Sequence, residues 1–137
     1  MMKVTVEEKV QYYDTDCGGV VSNIAYLRFV EKARCALFDT MGMSLQESAE
    51  TQLFPTVVRT EIDYKRPGRL GDQIFIEASL EKVEKARVFC RFILTRKDGK
   101  QDDFFLANSL QVISLVQMST GRPQRIPREW SDLVVPE

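Results

Sequence analysis

Tyr12-Tyr13-Asp14-Thr15-Asp16-Cys17-Gly18-Gly19-Val20-Val21-Ser22-Asn23-Ile24-Ala25-Tyr26 is the stretch on which the reading of this chain turns. Upstream, residues 3–12 alternate. Val4, Val6, Val10 and Tyr12 point one way, and Lys3, Thr5, Glu7, Lys9 and Gln11 point the other. That period of two predicts a half-buried strand. Asp14 to Gly19 breaks it with loop chemistry. Downstream the period lengthens. Ile24, Leu27, Val30, Arg34, Leu37, Phe38 and Met41 recur at helical spacing, with Phe29, Ala33 and Cys35 widening the apolar face. The pattern predicts one helix over about 23–41, roughly 30 Å long, largely wrapped by other structure.

Gly42 is placed to end that helix. Ser44-Leu45-Gln46-Glu47 has the S-x-x-E pattern of a capping box and predicts a short second helix. From residue 54 the period returns to two. Thr56, Val58, Thr60, Ile62 and Tyr64 form one set. Ile74, Ile76, Ala78 and Leu80 form the next, and Val88, Cys90, Phe92 and Leu94 another. Lys97-Asp98-Gly99-Lys100 reads as a hairpin turn. Phe104, Leu106, Leu110, Val112 and Val116 mark a long last strand, and the tail from Thr120 reads as irregular. A strand, a long helix and four more strands joined by short turns make an α+β layout. One antiparallel sheet curls around one apolar helix and leaves an edge strand that invites edge-to-edge dimers.

Composition narrows the chemistry. The chain has 137 residues, 44% hydrophobic and 28% charged, which fits one globular domain over 1–137. Its net charge of −1 offers no basic field for nucleic acid. No apolar leader or membrane-length stretch is present. There is no histidine. That removes Ser-His, Cys-His and Asp-His catalysis and any His-ligated metal site. Cys17, Cys35 and Cys90 are odd in number and widely spaced, so the expectation is a reduced, cytoplasmic protein without disulfides. Cys35 and Cys90 read as small buried apolar residues.

What remains is the loop. A helix N-terminus offers unpaired N–H groups and a partial positive charge, able to polarise a carbonyl or hold an oxyanion. A carboxylate opposite such donors can attack a carbonyl or activate water. The same Asp-x-Asp and Gly-Gly composition also suits a purely structural loop. A calcium loop fails on spacing and lacks the closing Glu.

The pattern Tyr12-x-Asp14-Thr15-Asp16-x-x-Gly19-Val20-Val21, followed after seven residues by Phe29-x-Glu31-x-Ala33-Arg34, resembles the 4-hydroxybenzoyl-CoA thioesterase family of hotdog-fold proteins. The YbgC-type acyl-CoA thioesterases are the nearest branch. Ile62-Asp63-Tyr64-Lys65-Arg66-Pro67-Gly68-Arg69-Leu70-Gly71-Asp72 and Gly121-Arg122-Pro123-Gln124-Arg125-Ile126-Pro127 resemble later family segments, so the likeness covers nearly the whole chain. It implies a five-stranded antiparallel sheet wrapped around one long helix. It implies dimers with a continuous sheet, often paired into homotetramers, and an active site between subunits.

By the same likeness Asp16 is catalytic, as nucleophile or general base, and the Asn23 backbone N–H receives the thioester carbonyl. Many YbgC-type members carry a histidine where this chain has Asn23, and a tyrosine matching Tyr12. Asn23 keeps the backbone donor and loses a side-chain acid or base.

Acyl-CoA substrates carry phosphates, for which Lys85, Arg87, Arg122 and Arg125 are the candidate partners. No cofactor or metal is called for, since CoA belongs to the substrate. Asp14 reads as organising the loop. Tyr12 reads as hydrogen-bonding loop or substrate, or as packing. Glu31 and Arg34 read as an ion pair on one helix face. Two other readings stay open: a non-catalytic acyl-thioester binder, and a thioesterase acting on an acyl-carrier protein. A hotdog dehydratase needs the histidine this chain lacks.

Overall fold

The structure, a computed structural model, describes residues 2–96 and 104–136. The turn read at Lys97–Lys100 lies outside the described residues. Strand β1 (Lys3–Lys9) leads through the Asp16 loop to helix α1 (Asn23–Thr40), then helix α2 (Leu45–Thr51). Strands β2 (Leu53–Tyr64), β3 (Gln73–Val83), β4 (Val88–Arg96), β5 (Phe104–Gln117) and β6 (Arg122–Gln124) follow, with a closing 3-10 turn at Arg128–Leu133. The strands form one antiparallel sheet in the order β1-β3-β4-β5-β2, with β6 on β5. This is the expected hotdog arrangement, with a sixth short strand where the tail was read as irregular.

Both helix starts follow their caps. Ser22 Oγ accepts from Ala25 N at 3.2 Å, and Ser44 Oγ accepts from Glu47 N at 3.1 Å. Gly42, at φ +85°, supplies the left-handed residue past the end of α1. Helix α1 buries Ala25, Tyr26, Phe29, Val30, Ala33, Leu37 and Phe38. Ile24, Leu27 and Cys35 are exposed, against the wider apolar face read from sequence. These three share the side of the helix that does not pack on β1, β3 and β4.

The facing sheet surface runs in registered rows. Val6, Ile76, Leu94 and Ala107 form one, and Val4, Ala78, Phe92 and Ser109 the next. Ile74, Ile76, Ala78, Leu80, Val88, Cys90, Phe92 and Leu94 are fully buried, as the alternation predicted. Burying each large side chain of this kind contributes about 1.5–3 kcal/mol.

Three readings are corrected by local geometry. Strand β1 ends at Lys9, and Tyr12 sits in a tight turn with its side chain exposed. There Asp14 N donates to Gln11 O at 2.9 Å, and Gln11 N donates to Asp14 Oδ2 at 2.9 Å. Turn hydrogen bonds override the alternation. In β2 a bulge between Val57 and Arg59 shifts the register, so Val57 and Ile62 share the helix side and Val58 is exposed. In β5 the helix-facing set is Ala107, Ser109, Gln111 and Ile113, placed by their register with β4. Leu110 and Val112 therefore face the opposite side. An irregularity between Leu94 and Thr95, opposite Leu106, causes the switch.

Cys90 is buried as expected, and burial pushes its thiol up to about 12 against a smaller opposing pull from Arg34. Cys17 is exposed. Thiol labelling followed by peptide mapping is expected to modify Cys17 in the folded protein and Cys90 only after unfolding.

Candidate active site

The loop between β1 and α1 is built on one ion pair. Asp14, 2% exposed, receives Arg28 Nη2 at 2.8 Å and 3.0 Å on its two oxygens, with Nε at 3.2 Å. Arg28 also reaches Glu8 at 3.3 Å and stacks over Phe29 at 4.8 Å. Both Asp14 oxygens are thus occupied, and Asp14 organises the loop.

Two residues on, Asp16 is exposed and begins a reverse turn. Gly19 N donates to Asp16 O at 3.0 Å, and Asp16 N donates to Val20 O at 3.0 Å. Asp16 Oδ1 accepts from Gly18 N at 3.0 Å. Gly19 holds φ +75°, which closes the turn and favours glycine. One carboxylate oxygen is spent orienting the side chain. Oδ2 accepts no hydrogen bond among the described residues.

Asn23 is the first residue of α1. With Ser22 Oγ bound to Ala25 N, the Asn23 N–H has no acceptor among the described residues. It lies at the positive end of an 18-residue helix. This end is braced from the other side. Tyr64 OH donates to Asn23 O at 3.3 Å, and the Tyr64 ring packs edge-on against Tyr26 at 5.2 Å. Tyr26 OH accepts from Gly68 N at 2.9 Å, and Val21 N donates to Gly68 O at 2.8 Å. Leu70 N donates to Gly19 O at 3.3 Å. The Asp16 turn and the helix start are therefore tied to one segment, residues 64–72. Burial raises the Tyr26 hydroxyl above its ordinary range, opposed by the Gly68 hydrogen bond. Tyr26 stays a neutral brace.

The brace was not legible as such. Arg28, Tyr26, Tyr64 and Gly68 carry no spacing signal linking them to Asp14 or Asn23. Tyr64 and Gly68 did lie within a segment quoted for its resemblance. Glu31 and Arg34 pair at 2.7 Å, as read from their spacing. Tyr12 is 82% exposed; its carbonyl accepts from Thr15 N and Thr15 Oγ1.

The structure joins part of the basic set and separates it from Asp16. Ile126 N donates to Lys85 O at 2.9 Å, which pins the tail carrying Arg122 and Arg125 beside the turn carrying Lys85 and Arg87. That turn follows the end of β3, whereas the Asp16 loop abuts its start. The 11 residues of β3 span about 35 Å, so the two groups stand at opposite ends of one subunit. Among the described residues no group of three or more His, Cys, Asp or Glu side chains converges as a metal site. No helix among them is long and apolar enough to cross a membrane.

A Cβ added to Gly68 would lie 3.0 Å from Val21 Cγ2 and 3.3 Å from Ile74 Cδ1. Gly68→Ala is expected to cost about 1–3 kcal/mol of unfolding free energy in a denaturant titration, through overpacking at the brace.

Residues 10–133 match the family model described as the thioesterase-like superfamily. The acyl-CoA thioesterase YbgC of Haemophilus influenzae is 30% identical over 122 residues, covering 88% of this chain and 86% of that protein. A probable thioesterase from Bartonella henselae superposes with a TM-score of 0.82 at 25% identity, covering 91% of this chain and 99% of that one. The 4-hydroxybenzoyl-CoA thioesterase of Pseudomonas sp. strain CBS-3 superposes with a TM-score of 0.84 at 17% identity, covering 97% and 99%, a likeness of fold. The hotdog sheet and these matches agree: the chain belongs to the thioesterase-like superfamily, a family of thioester hydrolases.

Proposed function

We propose that this chain hydrolyses acyl-CoA thioesters to the free acid and CoA. The reading is carried by two features seven residues apart: an exposed Asp16 carboxylate oriented by its turn, and at the start of α1 an Asn23 N–H with no acceptor among the described residues. The thioester carbonyl accepts from that N–H, and the helix end stabilises the oxyanion as it forms. Asp16 acts as nucleophile or as general base for water. Tyr12, with its hydroxyl free in solvent, orients the substrate. The step needs water and these groups, with CoA leaving as thiol.

The separation of Lys85, Arg87, Arg122 and Arg125 from Asp16 is met by self-association. Strand β2 is an edge of the sheet, and Val58, Ile24 and Leu27 beside it are exposed apolar residues. Antiparallel pairing of two β2 edges about a two-fold axis sets the Tyr64 end of one chain beside the Leu53 end of its partner. Leu53 pairs with Gln117, which pairs with Arg122, so that end leads to the basic turn and tail. Each Asp16 then works with the partner's phosphate-binding residues in a homodimer, and dimers pair into tetramers.

Asp16→Asn keeps the Gly18 acceptor and removes the charge. Chromatographic assay of CoA release from acetyl-, hexanoyl-, palmitoyl- and benzoyl-CoA is expected to show turnover by wild type and a loss of about 10²–10⁴-fold in the variant. Full activity in Asp16→Asn would overturn the mechanism. The double variant Lys85→Ala/Arg87→Ala is expected to raise KM several-fold and flatten its salt dependence, with kcat little changed. An unchanged KM would point to a carrier-protein substrate in place of CoA.

A further inference from the structure

The helix-facing side of the sheet is apolar along β1, β3 and β4, and polar residues enter it partway along β5 and β2. Phe92 is followed across the row by Ser109, and Cys90 by Gln111 and then Thr60. Ser109 spends its hydroxyl on Glu61 O at 2.8 Å. Gln111, 5% exposed, does something else. Its Oε1 accepts from Arg34 Nη1 at 3.2 Å, and its Nε2 donates to Thr60 Oγ1 at 3.3 Å. Arg34, whose side chain is 14% exposed, reaches Glu31 with its other terminal nitrogen.

Ser109, Gln111 and Thr60 take places that the rest of this face gives to apolar side chains. Gln111 is buried, which costs free energy that an apolar side chain of the same volume would not. Helix α1 packs chiefly on β1, β3 and β4, and the array bridges it through β5 to β2, where Thr60 is exposed. The same helix and strand also meet at the Asn23 end, through Tyr64. Arg34 lies 11 residues along α1, about 16 Å from Asn23. Thr60 lies four residues along β2 from Tyr64, the residue that touches Asn23, about 13 Å. Among the described residues the Thr60 O–H, the second Gln111 amide hydrogen and Arg34 Nε donate to nothing. The array is rich in donors and short of acceptors.

We infer that Arg34, Gln111 and Thr60 determine acyl specificity, selecting acyl groups that carry an oxygen acceptor, hydroxyl or carboxylate, remote from the thioester. The inference rests on the thioester binding at Asn23 as proposed above. A site built to hydrogen-bond a substrate oxygen rejects the analogue lacking it more strongly than an apolar pocket rejects an extra methylene.

The test compares octanoyl-CoA, its terminally hydroxylated analogue and the corresponding dicarboxylic mono-CoA ester on the full chain. Wild type is expected to favour one oxygenated ester by at least about 10-fold in kcat/KM. The better of the two identifies the acceptor as hydroxyl or carboxylate. Gln111→Val/Thr60→Val is expected to bring the ratio, measured within the variant, to unity or below. Thr60→Val alone, at an exposed position, gives a smaller shift of the same sign should the double variant fold poorly. Preference of wild type for octanoyl-CoA would overturn the inference. So would a ratio unmoved in the variants, including the case where only the dimer dissociation constant changes. If no thioester is turned over, the proposed reaction fails separately. Calorimetric binding of the matched non-hydrolysable thioethers then decides the array by the same ratio.

Discussion

The packing of one face of α1 against the curled sheet is the constraint from which the rest follows. Phe29, Val30, Ala33 and Leu37 lie on that face, opposite Ile74, Ile76, Phe92 and Leu94, and all are fully buried. Interiors this dense tolerate little displacement. The helix axis is therefore set by its core, and its N-terminus points where the core puts it. The unpaired Asn23 N–H costs the fold nothing extra, since any helix start leaves such groups unpaired.

A helix end alone does not make a site. The Asp14–Arg28 pair and the Tyr26–Gly68 bond convert a flexible connection into a fixed one. The first ties the loop to the outer side of α1, and the second ties the inner side of α1 to the segment entering β3. Asp16 projects from the turn between these anchors, oriented by Gly18 N. Two neighbouring aspartates thus stand in opposite surroundings. Asp14 is buried and saturated with donors, whereas Asp16 is exposed with an oxygen to spare.

The off-centre seating of α1 has a second result. Because the helix leans toward β1, β3 and β4, the β5–β2 margin is left with its own chemistry. On that margin lie the free edge of β2, the exposed Ile24 and Leu27, and the polar set around Gln111. Pairing of subunits and recognition of the acyl group both draw on this strip in the functional reading advanced above. One asymmetry of packing accounts for all of them.

Much of this was legible in one dimension. Period-two runs marked β3 and β4 residue by residue, Ser44 marked the start of α2, and Gly42 marked the end of α1. Loop composition beside a helix start drew attention to the β1–α1 connection, and the family likeness singled out Asp16 and Asn23 within it. The bulge at Val58 and the irregularity at Leu106 were not legible. A single unpaired residue inverts every later side chain in a strand, and only the partner strand's register shows it. The Asp14–Arg28, Tyr64–Asn23 and Gln111–Arg34 contacts were equally hidden, being 14, 41 and 77 residues apart. The sequence by itself determined the order of elements as far as β5, the buried faces of β3 and β4, the start of α2, the end of α1 and the loop that carries Asp16. Only the tertiary structure decided which face of α1 is buried, what braces Asn23, and that the basic residues stand a full strand length from Asp16. Local patterns record each residue's preference for burial, turn or cap, whereas contacts between distant segments depend on how the whole chain closes its core.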